Sequence, residues 1–316
     1  MNTVYVYHHN DHDGIVAAGV LYNYLVEEGY LEDMDLKIVF NMIDYNMELN
    51  FDHIDFEKWD EVYFLDYSFS NKHNRDEFEK LLRRRIDGEE VVWIDHHKTS
   101  IGVFEEYSIP GIRREGLCGA AWTYLFYNEH YQESELFDGS SIFDDFHNSS
   151  LIPAFLKYID DYDCWKKLYP VTNDFHYGFT VSHPTDAVIS NLLSSSNGID
   201  KIIFAGEKIQ EYLKFNDKEY HVDMYGFEYT LPEEHGGYKC FCLNRKGNSL
   251  MFGDKVKEYD AVIPFYYIDD KWKYSMFTDK DNVDCEAVAK SYGGGGHTKA
   301  AGWVIDNLIF ENTANS

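Results

Sequence analysis

Basic residues are scarce in this chain of 316 residues: 28 lysines and arginines stand against 56 aspartates and glutamates, a formal net charge of −28. Tight binding of a long polyanion rests on many lysine and arginine contacts to phosphate, so this balance argues against a long nucleic acid as partner. A short substrate held by a few local groups and by metal ions escapes that argument. Cysteines are few and odd in number (Cys118, Cys164, Cys240, Cys242 and Cys285), and no CxxC pair occurs. Neither a disulfide framework nor a cysteine zinc site is expected, and a reducing, cytoplasmic setting is. No stretch reaches the roughly 18 apolar residues of a membrane span. The opening MNTVYVYHHND has no basic segment leading into an apolar run, so no secretory leader is expected. What the chain does have is apolar and aromatic material, 44% and 17% of residues, enough for a substantial core. Its length accommodates two domains or one large one.

The first hundred residues read as strand–loop–helix units. Residues 3–7 (TVYVY) are β-rich and short. The polar loop HHNDHDG follows, then an amphipathic helix from about Ile15 to Glu28. Further strands are expected at residues 36–43, at 61–65 ending in Asp66, and at 90–94 ending in Asp95-His96-His97, with an exposed, charged helix near 75–85. This alternation predicts an α/β fold with a mostly parallel sheet and helices on both faces, where ligands bind beyond the carboxyl ends of the strands. Histidines and aspartates gather at three of those ends. Helices are expected over 119–130 and 151–159, the second running into DDYDCW. SHPTD and SSSNG mark a boundary, and 200–220 reads as a helix. The domain expectation is 1–185, a linker over 186–224, and a smaller C-terminal α/β domain over 225–316. The latter has short strands (YKCFCL, AVIPFYYI, KWKYSMF), a helix over 285–291, and GGGGH before a final strand. Cys240 and Cys242 are expected to share one strand face.

His9, Asp11 and Asp13 alternate in HNDHDG, so in an extended segment one imidazole and two carboxylates share a face, and Gly14 permits a tight turn into the helix. A solvated polar loop is the competing reading. Asp66 after VYFL is either a helix cap or a ligand. For Asp95-His96-His97 a cap accounts for one residue and leaves two histidines over. A mixed imidazole and carboxylate set favours manganese-like ions over an all-oxygen calcium site.

HNDHDG, the Asp of FLDYS, and IDHHKTS resemble the first three motifs of the DHH phosphoesterase family. YIDDYDCW is similar to the fourth motif in the form found in the nano-RNase (oligoribonuclease) branch, and GGGGHTKAAGW resembles the signature of the DHH-associated substrate domain. Five motifs in order span nearly the whole chain. The resemblance implies a two-metal phosphoesterase, with Mn2+ as the expected ion and Mg2+ the alternative. One ion would take His9, Asp11 and Asp66, and the other Asp13, Asp66, His96 and Asp163. Asp66 would bridge them, His97 would act on the phosphate as donor or general acid, and Asp95 would fix a histidine tautomer. Gly294, Gly295, Gly296 and His297 would bind substrate, and Arg245 or Asn244 lies where the family has a substrate-reaching strand. The family's serine-leucine-arginine-serine strand is absent: residues 274–278 read Tyr-Ser-Met-Phe-Thr, leaving Lys299, Arg245 or Arg113-Arg114 as substitutes.

The expected function is hydrolysis of short oligonucleotides to nucleoside 5′-monophosphates. Cyclic dinucleotides or 3′,5′-bisphosphate nucleotides are the alternative substrates, and a non-catalytic nucleotide-binding protein is the rival class. Expected partners are therefore a short oligonucleotide or small nucleotide. No long nucleic acid and no membrane is expected, and a homodimer is allowed.

Overall fold

The computed structural model describes residues 2–30, 36–128, 142–195, 198–220 and 222–310. Residues 129 and 130, the end of the helix expected over 119–130, lie outside them. The chain forms two compact units, Met1–Ile209 and Gln210–Ser316.

In the first unit β1 (Asn2–His9), β2 (Leu36–Ile43), β3 (Glu61–Leu65) and β4 (Val91–Ile94) form a four-stranded sheet in the order β2-β1-β3-β4. All pairs are parallel. Parallel pairing demands a crossover after each strand, which is why the sequence alternates short apolar runs with helices. The helices are α1 (His12–Glu27), α2 (Lys72–Leu82), α3 (Gly119–Tyr127), α4 (Ile142–Asn148), α5 (Ala154–Asp163), α6 (Thr172–Val181), α7 (Asp186–Ser194) and α8 (Ile199–Tyr220).

The period-two strand pattern splits the core. Val4, Val6, Tyr63, Leu65, Val92 and Ile94 face one side and pack against α1, α3 and α5 to α7 through Leu21, Trp122, Phe155, Phe179 and Ile189. Tyr7, Val62, Phe64, Val91 and Trp93 face the other, against Phe78, Leu81 and Leu82 of α2. Helix α2 is thus not the exposed helix expected from its charges, since its apolar positions lie four and three residues apart on one buried face. Phe78 is fully buried and stacks on Phe69 with ring centroids 3.9 Å apart, so Phe78→Ala costs about 3–5 kcal/mol.

The expected linker, 186–224, carries Ile189, Leu192, Ile199 and Ile202, all members of the first unit's core. The turn signal read in SHPTD is also a helix start, because the Thr185 side chain accepts from Val188 N and caps α7.

The second unit holds α9 (Val222–Tyr225), β5 (Phe227–Thr230), β6 (Lys239–Asn244), α10 (Lys255–Glu258), β7 (Ala261–Ile268), β8 (Lys271–Phe277), α11 (Cys285–Ser291), β9 (Gly295–His297) and β10 (Ala300–Ile305). Its six-stranded sheet has the order β5-β6-β7-β8-β10-β9, with only β6 and β7 parallel. Asp269 and Asp270, both at positive φ, make the two-residue turn between β7 and β8. Cys240 and Cys242 lie fully buried on one face of β6, within the core that Tyr274, Val288 and Trp303 complete.

Candidate metal centre

Parallel register builds this site. His8 pairs with Leu65, and Leu65 with Ile94, so the next residues along the three strands, His9, Asp66 and Asp95, fall in one row at the carboxyl edge of the sheet. Adjacent strands are about 4.8 Å apart, close enough for their side chains to meet.

From β1 the chain turns directly into α1. Asp11 is the N-cap, its Oδ1 accepting from Gly14 N at 2.9 Å, and Asp13 stands in the first helical turn. Convergence of His9, Asp11 and Asp13 therefore comes from a strand-to-helix turn, not from an extended strand as expected. Gly14 also differs in its reason: a Cβ there would sit 2.3 Å from the carbonyl oxygen of His9. Close approach, not a turn conformation, demands glycine.

Asp66 has φ of +54°, the left-handed region, which aspartate tolerates better than most residues but which still carries strain. It caps no helix, because α2 is capped by Asn71. His9 Nδ1 lies 2.7 Å from Asp11 Oδ2 and 3.9 Å from Asp66 Oδ2. His96 Nε2 lies 3.3 Å from Asp66 Oδ1, 3.4 Å from Asp163 Oδ2 and 3.7 Å from Asp13 Oδ2. Two groups of donor atoms result, His9-Asp11-Asp66 and Asp13-Asp66-His96, with Asp66 common to both and Asp163 closing on His96.

These residues fit divalent cations. Asp13, Asp66 and Asp163 are held above the usual carboxylate range, first by burial; the neighbouring carboxylates add to this at Asp66 and Asp163, and at Asp13 Asp11 adds to it against the opposing pull of His96. Their partners are imidazoles, a thiol and backbone N–H groups. Asp66 is 1% exposed, and its Oδ1 accepts no hydrogen bond. A buried carboxylate oxygen with no donor costs on the order of 1–3 kcal/mol unless a cation takes it.

His97 is differently placed. Its Nδ1 pairs with Asp95 Oδ1 at 2.7 Å, and Asp95 also accepts from His96 N and from the Ser100 hydroxyl. Burial alone would raise the Asp95 carboxyl, but His97 outweighs it and holds the group low. Tyr45 reaches the other ring nitrogen, with its hydroxyl 3.3 Å from Nε2, and its ring stacks on Tyr67 at 5.1 Å.

Asp160 and Asp161, beside the fourth motif, hold the scaffold. Asp160 accepts from Cys118 N, His147 Nε2 and Lys166 Nζ, each at 2.7 Å. Asp161 accepts from Leu168 N, Tyr169 N and the Thr172 hydroxyl.

In the second unit Gly295–His297 pair with Ala300–Gly302 as a short antiparallel edge. A Cβ on Gly294 would lie 2.1 Å from the Gly302 carbonyl oxygen, so packing demands glycine there whatever else the run does. Arg245 follows β6 directly. Lys299 binds the Lys280 carbonyl and Asp281, and Arg113 binds the carbonyls of Trp93, Ile109 and Pro110.

No family model matches the chain. The oligoribonuclease NrnB of Bacillus subtilis is 22% identical over 329 residues, covering 97% of this chain and 74% of that protein. A structure described as the DHH domain of a member of the S1p family of ribosomal proteins superposes with a TM-score of 0.55 at 14% identity, over 96% of this chain and 82% of the other. An exopolyphosphatase-related protein from Bacteroides fragilis gives 0.52 at 15% identity, over 98% and 88%. This chain has the DHH-domain fold.

Within the DHH fold of this chain, three supports escaped the sequence reading. Tyr45 is one tyrosine among 26, and only the register of β2 against β1 carries it to His97. The N-terminus of α3 gives Asp13 two backbone donors, Gly119 N at 2.6 Å and Ala120 N at 2.7 Å, across more than a hundred residues of sequence. Gly119 also packs directly against Asp66, since a Cβ there would lie 2.7 Å from the Asp66 Cβ. His12 lies against His176, their rings tilted with centroids 4.5 Å apart, and His176 stacks on Tyr162, the residue before Asp163.

Proposed function

We propose that this chain is a divalent-metal-dependent phosphoesterase that hydrolyses short oligonucleotides to nucleoside 5′-monophosphates. One observation carries the reading: two donor groups, His9-Asp11-Asp66 and Asp13-Asp66-His96 with Asp163, share the buried carboxylate of Asp66. One carboxylate shared by two ion positions is the arrangement that in-line displacement at phosphorus uses. Two ions of the manganese or magnesium class, when bound, supply the positive charge and the activated water that the reaction needs. His9, Asp11, Asp13, Asp66, His96 and Asp163 are the proposed ligands.

The chain's own contribution is positional. Asp95 fixes His97 by its Nδ1, so Nε2 is the atom left to exchange a proton with the leaving oxygen, with the Tyr45 hydroxyl beside it. Asp13 is held by the α3 N-terminus, whose partial positive charge offsets part of the carboxylate repulsion. Residues 1–185 are the proposed catalytic domain and 225–316 the proposed substrate domain, with Gly294, Gly295, Gly296, His297 and Arg245 as substrate contacts. The likeness to an oligoribonuclease supports oligonucleotides as substrate, and the net charge of −28 supports short ones. Five free cysteines agree with a reducing compartment.

The test is hydrolysis of a panel with Mn2+: a diribonucleotide, a five-nucleotide RNA, a cyclic dinucleotide and a 3′,5′-bisphosphate nucleotide, with Asp66→Asn as control. Mononucleotides from both RNAs, absent in the control, are expected. Turnover confined to the cyclic or bisphosphate compound would reassign the substrate. Bound ions with no turnover of any compound would instead mark a binding protein.

A further inference from the structure

We propose that Cys164 makes this centre selective for thiophilic ions: Zn2+ or Cd2+ closes on its Sγ, whereas Mn2+ uses the oxygen and imidazole donors alone. The inference rests on the assignment of His96 and Asp163 as ligands above.

Cys164 is the residue after the last turn of α5 and follows Asp163 directly. Its Sγ lies 3.9 Å from Asp163 Oδ2, which in turn lies 3.4 Å from His96 Nε2, and the three donor atoms all fall within 4.8 Å of one another. Bonds of about 2.0–2.3 Å in a tetrahedral arrangement separate donor atoms by roughly 3.3–3.8 Å. Two of the three edges therefore lie in or next to the range for zinc before any ion has drawn the side chains together. Asp66 Oδ1, buried and without a hydrogen bond, lies 3.3 Å from the same His96 Nε2 and is the fourth donor that an ion would have to draw in. The set would be one sulfur, one nitrogen and two oxygens.

Sulfur changes what such a set prefers. Thiolate selects zinc-class ions, while carboxylate and water suit magnesium and manganese, which seek six ligands and gain little from sulfur. Coordination replaces the S–H bond by a metal–sulfur bond and releases the proton to solvent. None of the other cysteines is placed to do this. Cys118 is fully buried and directs its thiol to Asp13, and Cys240, Cys242 and Cys285 are buried in the core of the second unit. Cys164 is half-buried, and its thiol also reaches Asp160 Oδ1 at 3.6 Å.

The experiment titrates the metal-free full chain with Cd2+, following the sulfur-to-cadmium charge-transfer absorption, and measures Zn2+ and Mn2+ affinities by competition calorimetry. Wild type is compared with Cys164→Ser and Cys164→Ala. The expected result is an absorption band in wild type that both variants lose. With it, Zn2+ affinity falls about tenfold or more while Mn2+ affinity is unchanged. A band that persists in both variants, or equal losses for Zn2+ and Mn2+, overturns the proposal. Stoichiometric Mn2+ binding by wild type with no cadmium band overturns this inference alone. Failure of wild type to bind any of the three ions overturns the ligand assignment as well.

Discussion

Asp160, fully buried, and Asp163, partly exposed, stand less than one turn apart on α5 in opposite surroundings. Around Asp160 burial alone would raise the carboxyl, but His147, Lys166 and the Cys118 N–H outweigh it and hold the group below the usual range. Around Asp163 burial works in the same direction as the charges of Asp13 and Asp11, and the group is pushed far up. Charge compensation thus separates two uses of one residue type. A buried carboxylate surrounded by donors fixes the fold, and one surrounded by other carboxylates waits for a cation. The same test sorts the second motif, where Asp66 carries the unpartnered oxygen, and the third, where Asp95 is fully engaged.

The sharpest way to break this contrast is at Asp66. Asp66→Asn is expected to lower hydrolysis of a diribonucleotide by at least roughly 10³-fold. Its thermal midpoint in EDTA should equal or exceed that of wild type, since a repelling charge has been removed. A drop in that midpoint would mean that Asp66 belongs to the scaffold. Asp160→Ala should do the opposite and cost about 3–5 kcal/mol in denaturant unfolding, because His147 and Lys166 lose their partner.

The Asp160 contribution also has a sign in pH. Its folded value is depressed, so the stability it provides is present above the unfolded value of about 3.9. That stability is lost as pH falls through the lower folded value. The difference between wild type and Asp160→Asn should therefore shrink on acidification below about pH 4, and a constant difference would contradict it.

Ion binding gives a smaller effect. Mn2+ at about 100 times its dissociation constant should stabilise wild type by about 2.7 kcal/mol in thermal unfolding and Asp66→Asn far less. Equal stabilisation of both would place the ions elsewhere. Smallest is Tyr45→Phe, which leaves the ring stack on Tyr67 and removes the hydroxyl beside His97. A kcat about tenfold lower with unchanged KM and Mn2+ affinity is expected, and a change in KM alone would assign Tyr45 to substrate binding.

What was legible in the sequence was local. Strands β2, β3, β7 and β8 and helix α11 fall on the residues read for them, because each is a short run bounded by turn residues. The acidic and imidazole groups at strand ends were legible for the same reason, since motif and strand are contiguous. Long-range partners were not. Nothing near residue 13 announces that Gly119 and Ala120 will bond it, nor does anything near residue 160 announce His147. Helices α6 and α7 were missed because turn-forming residues flank them, and capping uses the same side chains as turns. The extended geometry assumed for HNDHDG failed because Asp11 caps a helix that begins at His12, three residues earlier than the apolar pattern does.

Gly119 packs so tightly that a single added methyl would collide with Asp66 and crowd Asp13. Such a centre can be silenced without touching any ligand. In a duplicated gene, one substitution at this position would retain every recognisable motif while abolishing the chemistry. A lineage could drift in that way from turnover to mere capture of its ligand, and its sequence signature would still advertise the ancestral trade.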